Sequence, residues 1–164
     1  MEENVLTKIF FIIVGVLFLL FFLKHLMQPM IIVESDNNII TSMPAQSHFP
    51  FSTRFIHSVQ KTPVEEYFEV NDECNGFILI STRYQSFGVG LPFLASDGTF
   101  KREGDSFIME NMNRRIDVLN LRPGISTELA LNINDENILL YKEVPLGALV
   151  SISIMPRYKF FVMR

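Results

Sequence analysis

The residues of this chain that could do chemistry gather in two segments. The first is Phe55-Ile56-His57-Ser58-Val59-Gln60-Lys61-Thr62-Pro63-Val64-Glu65-Glu66-Tyr67-Phe68. It reads as a hairpin of strands 53–59 and 64–70, reversed over Gln60 to Pro63, with Pro63 fixing the entry to the second strand. Alternation puts His57 and Val59 on one face of the first strand. It puts Glu66 and Phe68 on one face of the second, and Glu65, Tyr67 and Glu69 on the other. A cross-strand pair of His57 with a glutamate would raise the histidine's pKa and could sense protons or hold a ligand. The same contact could equally serve only to fix the hairpin. The second segment is Arg83-Tyr84-Gln85-Ser86-Phe87-Gly88-Val89-Gly90-Leu91-Pro92. Gly88 and Gly90 allow positive φ or close backbone approach, and Pro92 stiffens the exit. Arg83 and Gln85 share one face at the mouth of this loop, with Tyr84 on the other. The loop could present N–H groups to an anion, meet a partner protein, or be a shaped turn without a ligand. It has no P-loop lysine.

Other constellations are weaker. Arg114-Arg115, beside Asn111 and Asn113, could grip a carboxylate bidentately or form a solvated face. The three histidines are His25, His48 and His57, and none sits at metal-ligand spacing. The chain lacks H-E-x-x-H, C-x-x-C and G-x-S-x-G. Ser58 next to His57 on a strand would point to the opposite face, away from the base that acyl chemistry needs. No catalytic residue, metal or cofactor is therefore expected. The net charge of −4 gives no basic face for nucleic acid. The single Cys74, in the turn-like Asn71 to Gly76, excludes an internal disulfide and reads as an unpaired thiol.

These residues must be carried by something, and the N-terminus says where. Ile9 to Leu23 is an apolar run closed by Lys8 and Lys24. A span needs about 20 apolar residues; Val5, Leu6, Leu26 and Met27 extend the run to that length, with Lys8, Lys24 and His25 snorkelling. The residues after the run are large, without the small A-x-A pattern of a cleavage site. The expectation is an uncleaved single-pass anchor over 1–28 and an extracytoplasmic domain over 29–164. The slight excess of positive charge before the run favours the N-terminus inside.

After the anchor, short runs rich in β-branched and aromatic residues alternate with turn signals. Strands are expected near 30–34, 39–41, 53–59, 64–70, 77–84, 106–110, 116–121, 128–133, 138–141 and 148–154. Turns are expected at 36–38, 71–76, 97–98, 103–105, 122–124, 134–137 and 145–147. No long segment beyond the anchor has helical apolar periodicity. The fold class is all-β, an antiparallel sandwich or small barrel of about eight to ten strands behind one helix. The join near Gln28-Pro29 is short, so the domain must sit close to the lipid. The terminal Arg157-Tyr158-Lys159-Phe160-Phe161-Val162-Met163-Arg164 could touch anionic headgroups or form a frayed last strand.

The two segments together resemble an uncharacterised bacterial family, domain of unknown function number eighteen-fifty. The shared pattern is the His57-Ser58-Val59 run, then Thr62-Pro63-Val64 and Glu65, then a tyrosine-bearing strand and the Ser86-Phe87-Gly88-x-Gly90-x-Pro92 loop. Met112-Asn113-Arg114 is a third, weaker segment. The resemblance runs from about Phe51 to the C-terminus. It implies a small membrane-associated β protein beside tripartite solute transporters of the TAXI-type TRAP class. It places candidate contacts at His57, Ser58, Thr62, Pro63, Glu65, Glu66, Arg83, Tyr84, Ser86, Phe87, Gly88, Gly90, Pro92, Asn113 and Arg114. The expected function is a non-catalytic accessory subunit of a solute uptake transporter, partnered by the membrane and by the transporter's membrane subunit or its solute-binding protein. The alternative is a membrane-tethered β-barrel that binds a small anionic solute, since about eight strands can enclose one.

Overall fold

A computed structural model of the chain describes residues 2–88 and 90–162. Val89, in the glycine loop, and Met163 and Arg164, in the terminal segment, lie outside the described residues. Helix α1 (Glu2–Met27) contains a 24-residue stretch, Asn4–Met27, long and apolar enough to cross a membrane. At 1.5 Å per residue that stretch is about 36 Å long, against about 30 Å of hydrocarbon. None of its hydrophobic window is buried against the rest of the protein.

Among the described residues twelve strands follow, in two antiparallel sheets. Sheet one has the order β2 (Asn38–Pro44), β1 (Pro29–Ser35), β12 (Val150–Pro156), β9 (Val118–Leu121). Sheet two runs β11 (Glu136–Ile138), β10 (Ala130–Ile133), β3 (Pro50–Ile56), β4 (Pro63–Val70), β5 (Phe77–Tyr84), β7 (Ser106–Glu110), β6 (Thr99–Glu103). The three-residue β8 (Arg114–Ile116) pairs with the other half of β5. The architecture is the sandwich with an N-terminal helix that patterning implies; it has two more strands than expected, because β6 leaves little sequence signal and the run 116–121 is divided between β8 and β9.

Two hairpins turn on paired left-handed residues, Asp36-Asn37 and Asn134-Asp135. Both positions of a two-residue type I′ turn need positive φ, which Asn and Asp tolerate best after glycine. The turn after β4 is held by Asn71, whose Oδ1 accepts from the backbone N–H of Asn75 (3.0 Å) and Gly76 (3.2 Å). Cys74 lies in that turn as a free, partly buried thiol packed on the core.

The main core lies between the sheets. Ile31, Val33, Val150 and Ile152 face Phe51, Phe68, Val70, Phe77, Leu79, Leu131 and Ile133. The rings of Phe51 and Phe68 stack at 5.0 Å, and Phe77 meets Phe51 edge-on at 5.1 Å. A smaller cluster of Val64, Tyr84 and Leu91 lies at the far end of sheet two, and the loop after β5 supplies Leu91 to it. Sheet two thus runs past the sandwich and is covered at its far end by its own loop.

Several expected elements differ. The run expected as one strand over 116–121 is divided between β8, paired with β5, and β9, paired with β12 in the other sheet. Strand β3 stops at Ile56, and 57–62 form the turn, because the His57 N–H donates to the Thr62 carbonyl (2.9 Å) and closes the hairpin early. Residues 138–141 are split between β11 and a one-turn helix α2 (Leu140–Glu143), whose Leu140 is fully buried in the core. The terminal segment is a helix, α3 (Arg157–Val162), and not a strand.

That last helix closes back on the first. Gln28 alone separates α1 from β1. The Arg157 backbone N–H donates to the Gln28 carbonyl (2.9 Å), and its guanidinium reaches Gln28 Oε1 (2.7 Å) and His25 Nε2 (2.6 Å). Arginine can only donate, so His25 Nε2 is the acceptor.

Candidate functional site

The structure sorts the candidate residues into three places. The two sequence segments meet at the first, the end of sheet two opposite the 45–49 segment that enters β3. The His57 ring is buried, and its Nδ1 accepts from the backbone N–H of Val59 (3.3 Å) and Gln60 (3.2 Å). An accepting Nδ1 carries no proton, so the neutral ring carries its proton on Nε2. The imidazole caps its own turn, which is the hairpin-fixing reading; a pairing with Glu65 or Glu66 is not what this nitrogen does. Gly88 lies directly on the ring: a Cβ built there would stand 2.8 Å from Nε2 and 2.9 Å from Cε1. The two glycines of the loop therefore have different reasons. Gly88 is needed for close approach, whereas Gly90 has φ +88° with open space around it.

Behind that contact the loop is tied down. Tyr84 Oη donates to the Pro92 carbonyl at 2.5 Å, and Leu91 N–H donates to the Gly88 carbonyl at 3.2 Å. Burial, and then Asp97, push the Tyr84 phenol above its ordinary range. Phe87 remains on the outside, 4.4 Å from Phe107 and 6.0 Å from Phe100 by ring centroids. Phe87 and Phe100 are 53% and 44% exposed, and Phe93 and Leu94 on the same loop 62% and 52%. Four large apolar side chains of this loop and the neighbouring strand are thus left exposed to water. Ser58 is exposed in the adjoining turn, Ser86 is half-buried, and Thr62 Oγ1 is buried without a partner among the described residues.

The second place is the outer face of sheet two. Arg54, Glu65 and Arg83 lie in one cross-strand row. Glu65 is 3.7 Å from Arg54 and accepts from Tyr67 Oη at 2.7 Å, while Arg83 pairs with Glu103 at 3.6 Å. Pro63 lines the shallow depression above this row. These are partly exposed pairs, worth little in stability.

The third place is the inner face between the two cores. Glu66 is half-buried and accepts from Thr53 Oγ1 at 3.1 Å. Burial pushes its carboxyl up, against the Thr53 hydrogen bond and the Arg114 charge, which pull it down. Arg114 thus has a carboxylate nearby in the chain itself. Asn113, in left-handed conformation, belongs instead to the far side, near Arg115 and His48.

That far side holds a cluster that sequence reading passed over. His48 lies between two acids, with Nδ1 3.2 Å from Glu69 and Nε2 2.9 Å from Asp72. The three residues are distant in sequence, and no spacing signals them. The hydrogen bond and charge of Glu69, then the charge of Asp72, raise the His48 pKa. A raised folded-state value means that the pairing stabilises the fold fully below the unfolded value of about 6.5 and is lost as pH rises through the folded one. An NMR titration should place the His48 midpoint above about 6.5, with Glu69→Gln returning it toward that value. An unshifted midpoint in the parent would contradict the bridge.

A groove of about 670 Å³ crosses the outer face over β10, β3 and β4. It is lined by Glu69, Asp135 and Glu136 with no lysine or arginine, which suits an anionic solute poorly. Among the described residues, no three His, Cys, Asp or Glu groups are placed to hold a metal.

No curated protein and no solved structure matches the chain. A family model does. It spans residues 51–140, from β3 through Leu140, and so covers sheet two with both motif segments and the tip they build, while leaving α1 and strands β1, β2 and β12 outside. That span is more than half of the chain, and the chain belongs to the family described as Domain of unknown function (DUF1850).

Proposed function

We propose that the chain is a non-catalytic accessory subunit of a solute uptake transporter. Helix α1 holds it in the membrane as a single span, and the sandwich stands on the outer face. There it meets the transporter's membrane subunit or its solute-binding protein. The observation that carries this reading is the aromatic tip, an exposed surface in which Phe87 comes from the second motif segment, whose Gly88 lies on His57 of the first, and Phe93, Leu94 and Phe100 come from the residues that follow. The resemblance to a family found beside TAXI-type TRAP transporters supplies the class of partner.

The geometry favours this over the tethered ligand-binding barrel. The sheets form two layers, and Phe51, Phe68 and Phe77 fill the space between them. The groove over β10, β3 and β4 carries the wrong charge for an anion. An enzyme is favoured less: His57 spends Nδ1 on its own turn, and Ser58 beside it is exposed.

Pull-down of the chain from a detergent extract is expected to recover transport subunits. Phe93→Ala and Phe87→Ala should each weaken that capture by about 2 kcal/mol, roughly thirtyfold, as central aromatic contacts do. Recovery of no transport subunit, together with unchanged uptake on deletion of the gene, would remove the proposal.

A further inference from the structure

We infer that the junction of α1 with the sandwich is a binding site for the headgroup of an anionic phospholipid; this rests on the reading of α1 as a membrane span. Lys24 and His25 stand in the last turn of α1, and Arg157 and Lys159 in α3 beside it. Fold closure thus brings cations from opposite ends of the chain into one collar. By length, the α1 stretch overshoots the hydrocarbon by about 3 Å at each end, which sets this last turn at the headgroup boundary.

Among the described residues, no acid neutralises the collar. Among the described residues, Lys24, Arg157 and Lys159 have no carboxylate within 4 Å, whereas Arg54, Arg83, Lys101 and Arg115 each have one. Segments 4–33 and 144–164 contain no Asp or Glu at all, in a chain with 18 acids against 14 Lys and Arg. Arg157 spends two guanidinium nitrogens on neutral partners and leaves its buried Nε without any. The bland account is that these cations cap the C-terminal end of α1. A helix end offers only about half a negative charge, too little to balance Lys24, Arg157 and Lys159 together. A concavity of about 500 Å³ opens beside them, lined by Phe21, Lys24, His25, Met27, Gln28 and Pro29. Its lining offers Phe21, Met27 and Pro29 to the acyl chains and Lys24 to a phosphate, and His25 and Gln28 of the same lining hold the Arg157 guanidinium. Tyr158 and Phe161 are exposed on the same short helix, as aromatic side chains are at membrane interfaces.

The chain has no tryptophan, so Tyr158→Trp gives a single fluorescent donor inside the collar. The full chain with this reporter is reconstituted in phosphatidylcholine vesicles holding a small fraction of acyl-labelled acceptor, either phosphatidylglycerol or phosphatidylcholine. Energy transfer to the phosphatidylglycerol acceptor is expected to exceed transfer to phosphatidylcholine severalfold, and to decline with salt. Lys159→Gln, at an exposed position, should lower that preference about fivefold at low ionic strength. Lys101→Gln, which removes an equal charge from the Glu110 pair on sheet two, should leave it unchanged. Equal transfer to both lipids, or an equal loss with Lys101→Gln, overturns the collar while vesicle flotation after an alkaline wash still upholds the span. A chain that fails to float with either vesicle overturns the span, and the collar with it.

Discussion

Phe77→Ala is expected to cost about 3–5 kcal/mol, the range for removing a buried aromatic ring. Phe77 is completely buried, opens β5, and pairs with Val70 on one side and Ile116 on the other. Its ring meets Phe51, which stacks on Phe68, so truncation leaves a void where the two sheets depend on each other. The surrounding strands are hydrogen-bonded on both sides and cannot collapse into that void. Domains hold only about 5–15 kcal/mol in total, and a loss of this size lowers the melting temperature by roughly 10–20 °C. Phe87→Ala is the contrast. It removes a ring of equal size from an exposed position and should stay within about 1 kcal/mol in stability. Thermal melts of both variants in the same detergent would test this. Similar losses for the two would mean that the interior aromatic cluster is not what holds the sheets together.

The sequence made one part of this fold legible and hid another, for identifiable reasons. Strands β5 and β7 coincide with their sequence-read bounds, because turn residues bracket both, although alternation along β5 breaks at Ile80-Ser81, where its register against β4 shifts. Strand β6 carries all five residues exposed at a sheet edge, so it has no alternation to read. Helix α2 is a single turn whose buried Leu140 follows a strand-like run, and periodicity cannot separate the two over four residues. The candidate site was legible as two motifs but not as one place. Nothing in the spacing of His57 and Gly88 states that they touch. The faces assigned to Glu65, Glu66 and Tyr67 hold, since β4 keeps one register against β3 along its length. The face assigned to His57 does not, since the strand ends one residue before it. His48, Glu69 and Asp72 come from a loop, a strand and a turn, and only the fold unites them. The closure of Arg157 onto Gln28 and His25 was hidden in the same way.

Gly88→Ala is expected to cost about 2–4 kcal/mol, confined largely to the tip. The added methyl would lie 2.8 Å from His57 Nε2 and 3.3 Å from Gln60 Cγ. The ring cannot retreat cheaply, because two backbone N–H groups hold its Nδ1. Either the turn over 57–62 gives way or the 85–92 loop lifts. Overpacking of this kind costs about 1–3 kcal/mol, and a lifted loop adds the loss of the Tyr84–Pro92 hydrogen bond, about 1 kcal/mol more. Lifting also uncovers Val64 and Tyr84, which Leu91 shields. Hydrogen exchange should therefore quicken at the Leu91 amide, which donates to Gly88, far more than in β1 or β12. A double-mutant cycle separates the clash from other effects. His57→Ala alone loses the turn cap, but in the Gly88→Ala background it also removes the atoms that the new methyl strikes. The pair should then cost at least about 1 kcal/mol less than the sum of the singles. Additive losses would place the role of Gly88 somewhere other than against the histidine ring, and the tip would lose the contact that joins its two segments.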